Sequence, residues 1–294
     1  MPYRDGVAAS LPPPCQGLAA LAILGMLDAW DVGRQPPDSA DYVHLVVEAT
    51  KLAFGDRDHW LADPDHVPVP TDWLLDPAYL RVRAKEIRPD RAQPAPVPSG
   101  VDRGDTIACV AADASGNCVS LIQSLYWEWG SGLIAGRTGV VLQNRGAFFS
   151  LDPANRNGLV PGKRPFHTLT PFMLLQDGRP VLVAGTMGGE GQPQTLAALT
   201  TRVVDCGFDV QAAVEAPRWL YGRTWGAPTR ALSLEGRFDP RVVADLRARG
   251  HHPVHVLDAW SDSMGHAQAI RLDATTGLLV AAGDPRADGP ALAV

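Results

Sequence analysis

The chain has 294 residues, 46% of them hydrophobic and 20% charged, which is the balance of a globular protein with a sizeable core. No apolar run approaches the ~20 residues of a membrane span, which argues against a bilayer-spanning helix. The formal charge of −6 comes from 32 acidic and 26 basic residues, and the basic ones are scattered, leaving no basic stripe for nucleic acid.

The opening MPYRDGVAASLPPP lacks the basic-then-apolar pattern of a signal peptide, which favours the cytoplasm and leaves export open if the true start lies further upstream. After the triple proline, Gln16 to Trp30 carries Leu18, Leu21, Ile23, Leu24 and Leu27 at largely helical spacing. Ser39 to Phe54 repeats the pattern with Ser39 as its cap, and Pro77 to Ile87 reads as a third helix. Residues 93–104 (QPAPVPSGVDRG) have the composition of an exposed, proteolysable linker. From Thr106 the texture changes to short β-prone runs at 106–112, 118–123, 138–142, 167–175 and 180–185, with Asp113-Ala-Ser-Gly-Asn117 as a hairpin turn. Helical spacing returns at Gln192 to Val204, Val210 to Ala216 and Pro240 to Arg249, which Gly250 terminates. Strand-like runs at 253–257, 267–272 and 278–281 close the chain, so the pattern is α+β or α/β.

Thr106 stands where linker becomes strand. If the Asp105–Thr106 bond is cut, the threonine gains a free α-amine of pKa ~7.7–8.0, a base able to take its own hydroxyl proton. The alternative is a β-branched residue that merely opens a buried strand. Gly185-Thr-Met-Gly188-Gly189-Glu-Gly191 directly precedes the helical run at Gln192, where glycines let backbone N–H groups approach an oxyanion. A tight turn required only by packing is the competing reading, and the missing Gly-Lys-Ser/Thr ending argues against a phosphate loop. Ser124 taken alone is an ordinary polar strand residue. Cys15, Cys109, Cys118 and Cys206 show no CxxC spacing and read as reduced core thiols. His251, His252 and His255 have ligand-like spacing, but with no acidic or thiol partner in their block they read as a solvated edge rather than a metal site. Trp127 and Trp129 flank Glu128 in a stretch that either gates a pocket or packs a strand.

The blocks LPPPCQG, FGDRDHWLADPDHV, GDT with DASGNCVS, GSGLIAGRTGVVLQNR, PGKRPFHTLTP, GTMGGEGQPQ, EAPRW, MGHAQAI and GDPRADG occur in this order from about residue 8 onward. Together they resemble the γ-glutamyltransferase (γ-glutamyl transpeptidase) family of N-terminal-nucleophile hydrolases. The resemblance implies a four-layer αββα sandwich. Residues 1–105 would be the end of a large subunit and residues 106–294 the small, catalytic one, the two forming a heterodimer after processing. It implies that Thr106 first attacks the Asp105 carbonyl to sever the chain. Thr106 then takes a γ-glutamyl or related acyl group from an amide donor such as glutathione and passes it to water or an amine. By the same resemblance Gly188 and Gly189 form the oxyanion hole, and Ser124 supplies the hydroxyl that orients Thr106. His167 and Thr168 occupy the place of a serine pair that holds the donor carboxylate. The partners implied are a small-molecule amide and the chain's own cleaved segment, with no metal and no organic cofactor.

Two departures bear on the donor. Where the family's transpeptidases use Asn, Gln and Asp side chains on the donor's α-amino and carboxylate groups, this chain has Tyr126, Arg145 and Phe148. Phe148 cannot neutralise an ammonium and Arg145 repels one, whereas Arg145 can fork onto a carboxylate. The expected donor is therefore an acyl group that ends in a carboxylate and lacks the α-amine, as in the glutaryl-type (cephalosporin) acylases that resemble this family. In the competing reading Arg145 is a surface residue or one set back from the substrate. A reading outside the enzyme class is a catalytically silent fragment. In relatives an arginine that grips the donor carboxylate, and several sheet strands, come from an amino-terminal region that this chain does not match. His266 matches its block without a derivable role, and Asp284-Pro-Arg286 reads as structural.

Overall fold

The computed structural model describes residues 1–94, 105–224, 227–273 and 275–293, without the side chain of Asp105. The expected linker therefore lies, from 95 to 104, outside the described residues. In chain order the elements are β1 (Pro2–Tyr3), β2 (Gly6–Ser10), α1 (Gly17–Leu27), α2 (Ala40–Trp60), α3 (Thr71–Leu74), α4 (Pro77–Ala84), β3 (Asp105–Ala112), β4 (Cys118–Tyr126), β5 (Phe172–Gln176) and β6 (Arg179–Thr186). They continue with α5 (Gln192–Val204), α6 (Val210–Glu215), β7 (Trp219–Tyr221), β8 (Leu232–Glu235), α7 (Pro240–Ala248), β9 (Val254–Leu257), β10 (Ala267–Leu272) and β11 (Leu279–Gly283).

Helix α1 is buried nearly all round because it is wedged among α2, α5 and β2, so no face is left for polar residues. Helix α2 starts where the cap predicts, with Ser39 Oγ accepting from Tyr42 N at 3.2 Å. It runs past Phe54 to Trp60 because Arg57 turns inward and finds buried partners. Asp76 caps α4, with Pro77 at its first position.

Strands β1-β2-β5-β6-β10-β11 form one antiparallel sheet in that order. Helices α1, α5 and α6 lie on one face, and the core between helices and sheet includes Val46, Phe54, Phe172, Leu182 and Leu199. Each such side chain contributes about 1.5–3 kcal/mol by leaving water, so this layer holds the sheet in place. The β3–β4 hairpin covers the other face, where Ser120 Oγ donates to Ala184 O at 2.8 Å and accepts from Phe172 N at 3.3 Å. The two layers approach closely at Gly185, where a Cβ would lie 3.0 Å from the Ile122 side chain and 3.3 Å from Ala108. Strands β7, β8 and β9 form a separate small sheet beside α2 and α7, with β8 and β9 parallel. Helices on one face of an antiparallel sheet make the fold α+β rather than α/β. No helix among the described residues is long and apolar enough to cross a membrane.

Three expectations change. The run at 138–142 is no strand but a single bridge, Ile134 to Val141, because Gly136 (φ 53°) and Gly139 (φ 76°) take left-handed conformations. The run at 167–175 joins the sheet only at Phe172; before that the chain turns to the amino-terminal prolines, His167 N donating to Pro14 O at 3.1 Å. Cys109 is exposed rather than a core thiol, because strand alternation turns Ile107, Cys109, Val119 and Leu121 to the uncovered face of the hairpin. Asp284 and Arg286 do have a structural place, buried with Arg218 and Glu235 in paired contacts of 2.5–3.0 Å.

Candidate active site

The hairpin pairs Thr106 with Ser124, then slips, so that Asp105 faces Tyr126 and Leu125 is left over. Thr106 Oγ1 donates to Ser124 Oγ at 2.9 Å, and the same oxygen accepts from Tyr126 N at 2.9 Å. The bulge holds Tyr126 at φ 78°, a conformation that a bulky residue adopts only when its surroundings impose it. The Tyr126 ring packs on Phe148 at 4.6 Å between centroids, Phe148 meets Phe166 edge-on at 5.1 Å, and the Arg145 guanidinium lies 5.2 Å over Tyr126.

Arg145 is only 6% exposed, which rules out a surface position and leaves the two readings of a substrate-facing residue and one set back from it. It donates to Thr168 Oγ1 over a long 3.4 Å, its Nη2 has no partner, and no carboxylate among the described residues pairs with it. Burial pushes its pKa down to about 10. A desolvated cation without a counter-ion is unfavourable, and an incoming anion relieves it. His167 stands next to Thr168 with its Nδ1 buried and unpartnered among the described residues. Burial, then Arg145 and Arg164, push its pKa down to about 4, so it is neutral at pH 7. The cluster thus holds a positive charge at pH 7 with no negative one among the described residues to balance it.

After β6 the chain turns through Gly188 (φ 140°) and Gly189 (φ 51°) into a short 3-10 turn, Gly189–Gly191, and then α5. A Cβ on Gly189 would lie 2.9 Å from Thr224 O, so the position requires glycine for space as well as for φ. The carbonyls here are pinned: Met187 O accepts from Thr186 Oγ1 at 2.6 Å, Gly188 O from Gly191 N at 2.7 Å, and Gly189 O from Gln16 Nε2 at 2.8 Å. In a trans peptide the N–H points opposite to the preceding carbonyl, so the Gly188 and Gly189 N–H groups face away from those partners. Layer register carries Thr106 towards this turn. Ser120, which pairs with Val110, reaches Ala184, and Ala108 lies on Gly185, so the next inward residue of β3 falls at the end where β6 gives way to Met187.

Contacts link Thr106, Ser124, Tyr126, Arg145 and Thr168 in that order, Phe148 packs on Tyr126, and Gln16 joins Thr168 to Gly189 in the glycine turn; the Asp105 side chain is not described. The sequence reading missed Gln16, Arg57 and Glu190, which support that turn. Each lies inside a quoted block, but Arg57 and Glu190 resemble solvent-facing charges until their burial is known. Trp129, in the turn that follows β4, is 76% exposed and packs no strand.

Away from this cluster, His252 and His255 are exposed as expected, but His251 is buried. Its Nε2 lies 2.8 Å from His44 Nδ1 and 4.0 Å from Glu48 Oε1, partners that α2 supplies one helical turn apart. His44, Glu48 and His251 are a ligand-like set whose atoms already have protein partners. His44 Nε2 bonds Arg88 O at 2.7 Å, and Glu48 accepts from Lys51 Nζ at 2.7 Å and Gln93 N at 3.0 Å. Burial, with Lys51, His44 and Arg249 adding to it, pushes the His251 pKa down to about 3. The unfolded chain, with histidine near pKa ~6.5, binds protons the folded state refuses, so this stability is complete above that pH and is lost as pH falls towards 3. The melting temperature should drop between pH 6.5 and 4, and His251→Asn should make that slope shallower; an unchanged slope would clear His251 of the effect.

Helices packed on a sheet that carries a second, strand-built layer are the build of the N-terminal-nucleophile hydrolases, and sequence comparison puts the chain in that class. The gamma-glutamyltranspeptidase family model matches residues 1–294, and the chain belongs to this family. It is 49% identical over 290 residues to the oxamate amidohydrolase proenzyme of Klebsiella pneumoniae subsp. pneumoniae, covering 98% of this chain and 54% of that protein. To the glutathione hydrolase-like YwrD proenzyme of Bacillus subtilis it is 44% identical over 294 residues, covering 99% and 55%. The crystal structure of cephalosporin acylase from Bacillus halodurans superposes with a TM-score of 0.86 at 35% identity, covering 99% of this chain and 51% of that one. The chain spans about half the length of the curated relatives it matches.

Proposed function

We propose that the chain is the catalytic portion of a self-cleaving amidohydrolase with Thr106 as nucleophile, acting on small amides that carry a carboxylate but no α-ammonium. Residues 1–105 and 106–294 are the two products of cleavage at Asp105–Thr106, held together by a core to which both contribute, Val46 and Phe54 from one side and Phe172 and Leu199 from the other. The helices, the six-stranded sheet and the hairpin are three layers of an αββα sandwich. In the precursor the Thr106 oxygen adds to the Asp105 carbonyl, the peptide C–N bond breaks as the ester forms and the hydroxyl proton passes to the freed α-amine, and water then hydrolyses the ester to release the Asp105 carboxyl end and restore the Thr106 hydroxyl. That amine then takes the hydroxyl proton as Thr106 Oγ1 adds to the substrate amide carbonyl. Ser124 fixes the hydroxyl, and the N–H groups of Gly188 and Gly189 stabilise the oxyanion. Collapse expels the protonated leaving amine, and water releases the acid from the threonyl ester.

The observation that carries the substrate reading is Arg145, buried against Tyr126 and Thr168 with no counter-charge among the described residues. A substrate carboxylate held there by Arg145, with Thr168 and neutral His167 alongside, supplies the missing anion. The name of the 49% identical relative fits this reading: in oxamate a carboxylate is joined directly to an amide carbonyl, with no amine. A γ-glutamyl donor would bring an ammonium towards Arg145, a repulsion of about 4 kcal/mol at 4 Å in an effective dielectric of 20. Initial rates on oxamate, a glutaryl anilide and a γ-glutamyl anilide should rank the last at least about 100-fold below the better of the first two. A strong preference for the γ-glutamyl compound would reject the reading.

A further inference from the structure

We propose that Gln16 is a positioning residue for this chemistry, one that fixes the spacing between the oxyanion turn and the carboxylate-holding segment; the proposal rests on the function proposed above. Gln16 is fully buried and every polar atom of its side chain is used. Its Nε2 donates to Thr168 O at 2.7 Å and to Gly189 O at 2.8 Å, and its Oε1 accepts from Arg57 Nη1 at 3.0 Å. A single amide thereby ties the strand-like segment beside Arg145 to the turn that presents the Gly188 and Gly189 N–H groups.

Arg57 supports the same turn from behind. Its Nη2 donates to Glu190 Oε2 at 2.9 Å and its Nε to Asp58 Oδ1 at 2.7 Å, and the guanidinium lies 4.1 Å over the Phe54 ring. Glu190 follows Gly189 in the 3-10 turn, so the turn is held at two successive residues, by a carbonyl and by a side chain. The peptide plane before Gly189 is fixed by the bond from Gly191 N to Gly188 O, and the plane after it by Gln16. The Gly188 N–H lies in the plane that Thr186 Oγ1 pins at Met187 O and the Gly189 N–H in the plane that Gly191 N pins at Gly188 O, and Gln16, a residue of the 1–105 segment, restrains the next peptide, on the far side of Gly189. Apolar side chains would fill this space at lower cost than a buried amide and guanidinium, but they would not direct a backbone. The 1–105 segment is thus a working part of the site after cleavage and not a discarded leader.

Gln16→Glu keeps the size and the Arg57 contact but turns the Nε2 donor into an oxygen facing two carbonyls; Gln16→Met removes all three bonds without adding charge. In the purified protein, each variant should lower kcat about tenfold with KM changed less than about twofold, because reacting groups displaced by a fraction of an ångström lose rate before they lose binding. Hydrogen exchange of a peptide spanning residues 187–192 should be faster in both. For Gln16→Glu the rate relative to wild type should recover as pH falls towards 5, as the protonated carboxyl regains one donor. A folded variant of either kind with wild-type kcat and wild-type exchange overturns the proposal, as does a loss confined to melting temperature. If one variant does not fold, the other carries the same readouts. If the wild-type chain hydrolyses no amide, the proposed function fails separately, and the exchange measurement alone decides whether Gln16 restrains the turn.

Discussion

Thr106→Ala should leave the chain whole on a denaturing gel and lower amide hydrolysis by about 10⁴-fold or more, since nucleophile and base leave together. Wild-type protein should give two pieces by mass, 1–105 and 106–294, the second with threonine first. The loss is not expected to come from unfolding. Thr106 is half-buried at a strand end, and removing its 2.9 Å bond to Ser124 costs about 1 kcal/mol, a small fraction of a domain's stability. Thr106→Ser keeps both the hydroxyl and the α-amine, so cleavage and turnover should return in part. Normal splitting of Thr106→Ala at the same bond would remove this residue as the nucleophile and with it the whole mechanism.

Arg145→Met is the second large effect, and it should move activity and stability in opposite directions. Losing a buried charge-assisted contact to the substrate carboxylate costs about 3 kcal/mol, or about 150-fold in kcat/KM, for oxamate and glutaryl amides. A neutral amide of similar size should be nearly unaffected. In the free protein the guanidinium is a liability, because burial lowers its pKa to about 10 and no acidic group among the described residues repays the desolvation. Since the folded state holds this proton less tightly than the unfolded chain, the charge destabilises the fold at every pH below about 10. Arg145→Met should therefore melt at least as high as wild type, by a few degrees if about 1 kcal/mol is recovered. A variant equally impaired on charged and neutral amides, and less stable, would show that Arg145 holds the structure and does not bind substrate.

Helices were the most legible part of the fold. Ser39 and the helical spacing of α5 act within a few residues of themselves, so the rules that place them need no knowledge of the rest of the chain. The strand run at 267–272 was readable for the same reason. Strands β1, β2, β7 and β8 were not anticipated, because short segments acquire strand character only from the neighbours they pair with. The candidate site divides similarly. Thr106, Gly188 and Gly189 stand out by residue type and order and Ser124 only by its place in a family block, whereas Gln16, Arg57 and His251 look ordinary until distant segments meet them. His251 shows why: its partners His44 and Glu48 lie more than 200 residues away, and no window on the 251–255 block contains them.

By itself the sequence determined the family and the threonine near the start of a strand, because residue identity and order suffice for both. Only the tertiary structure decided that Arg145 is buried with no counter-charge among the described residues, that Cys109 faces outward, and that Gln16 spans the Gly188–Gly189 turn and Thr168. Burial and hydrogen-bond direction are properties of what surrounds a side chain, and those surroundings are assembled from parts of the chain that carry no mark of one another.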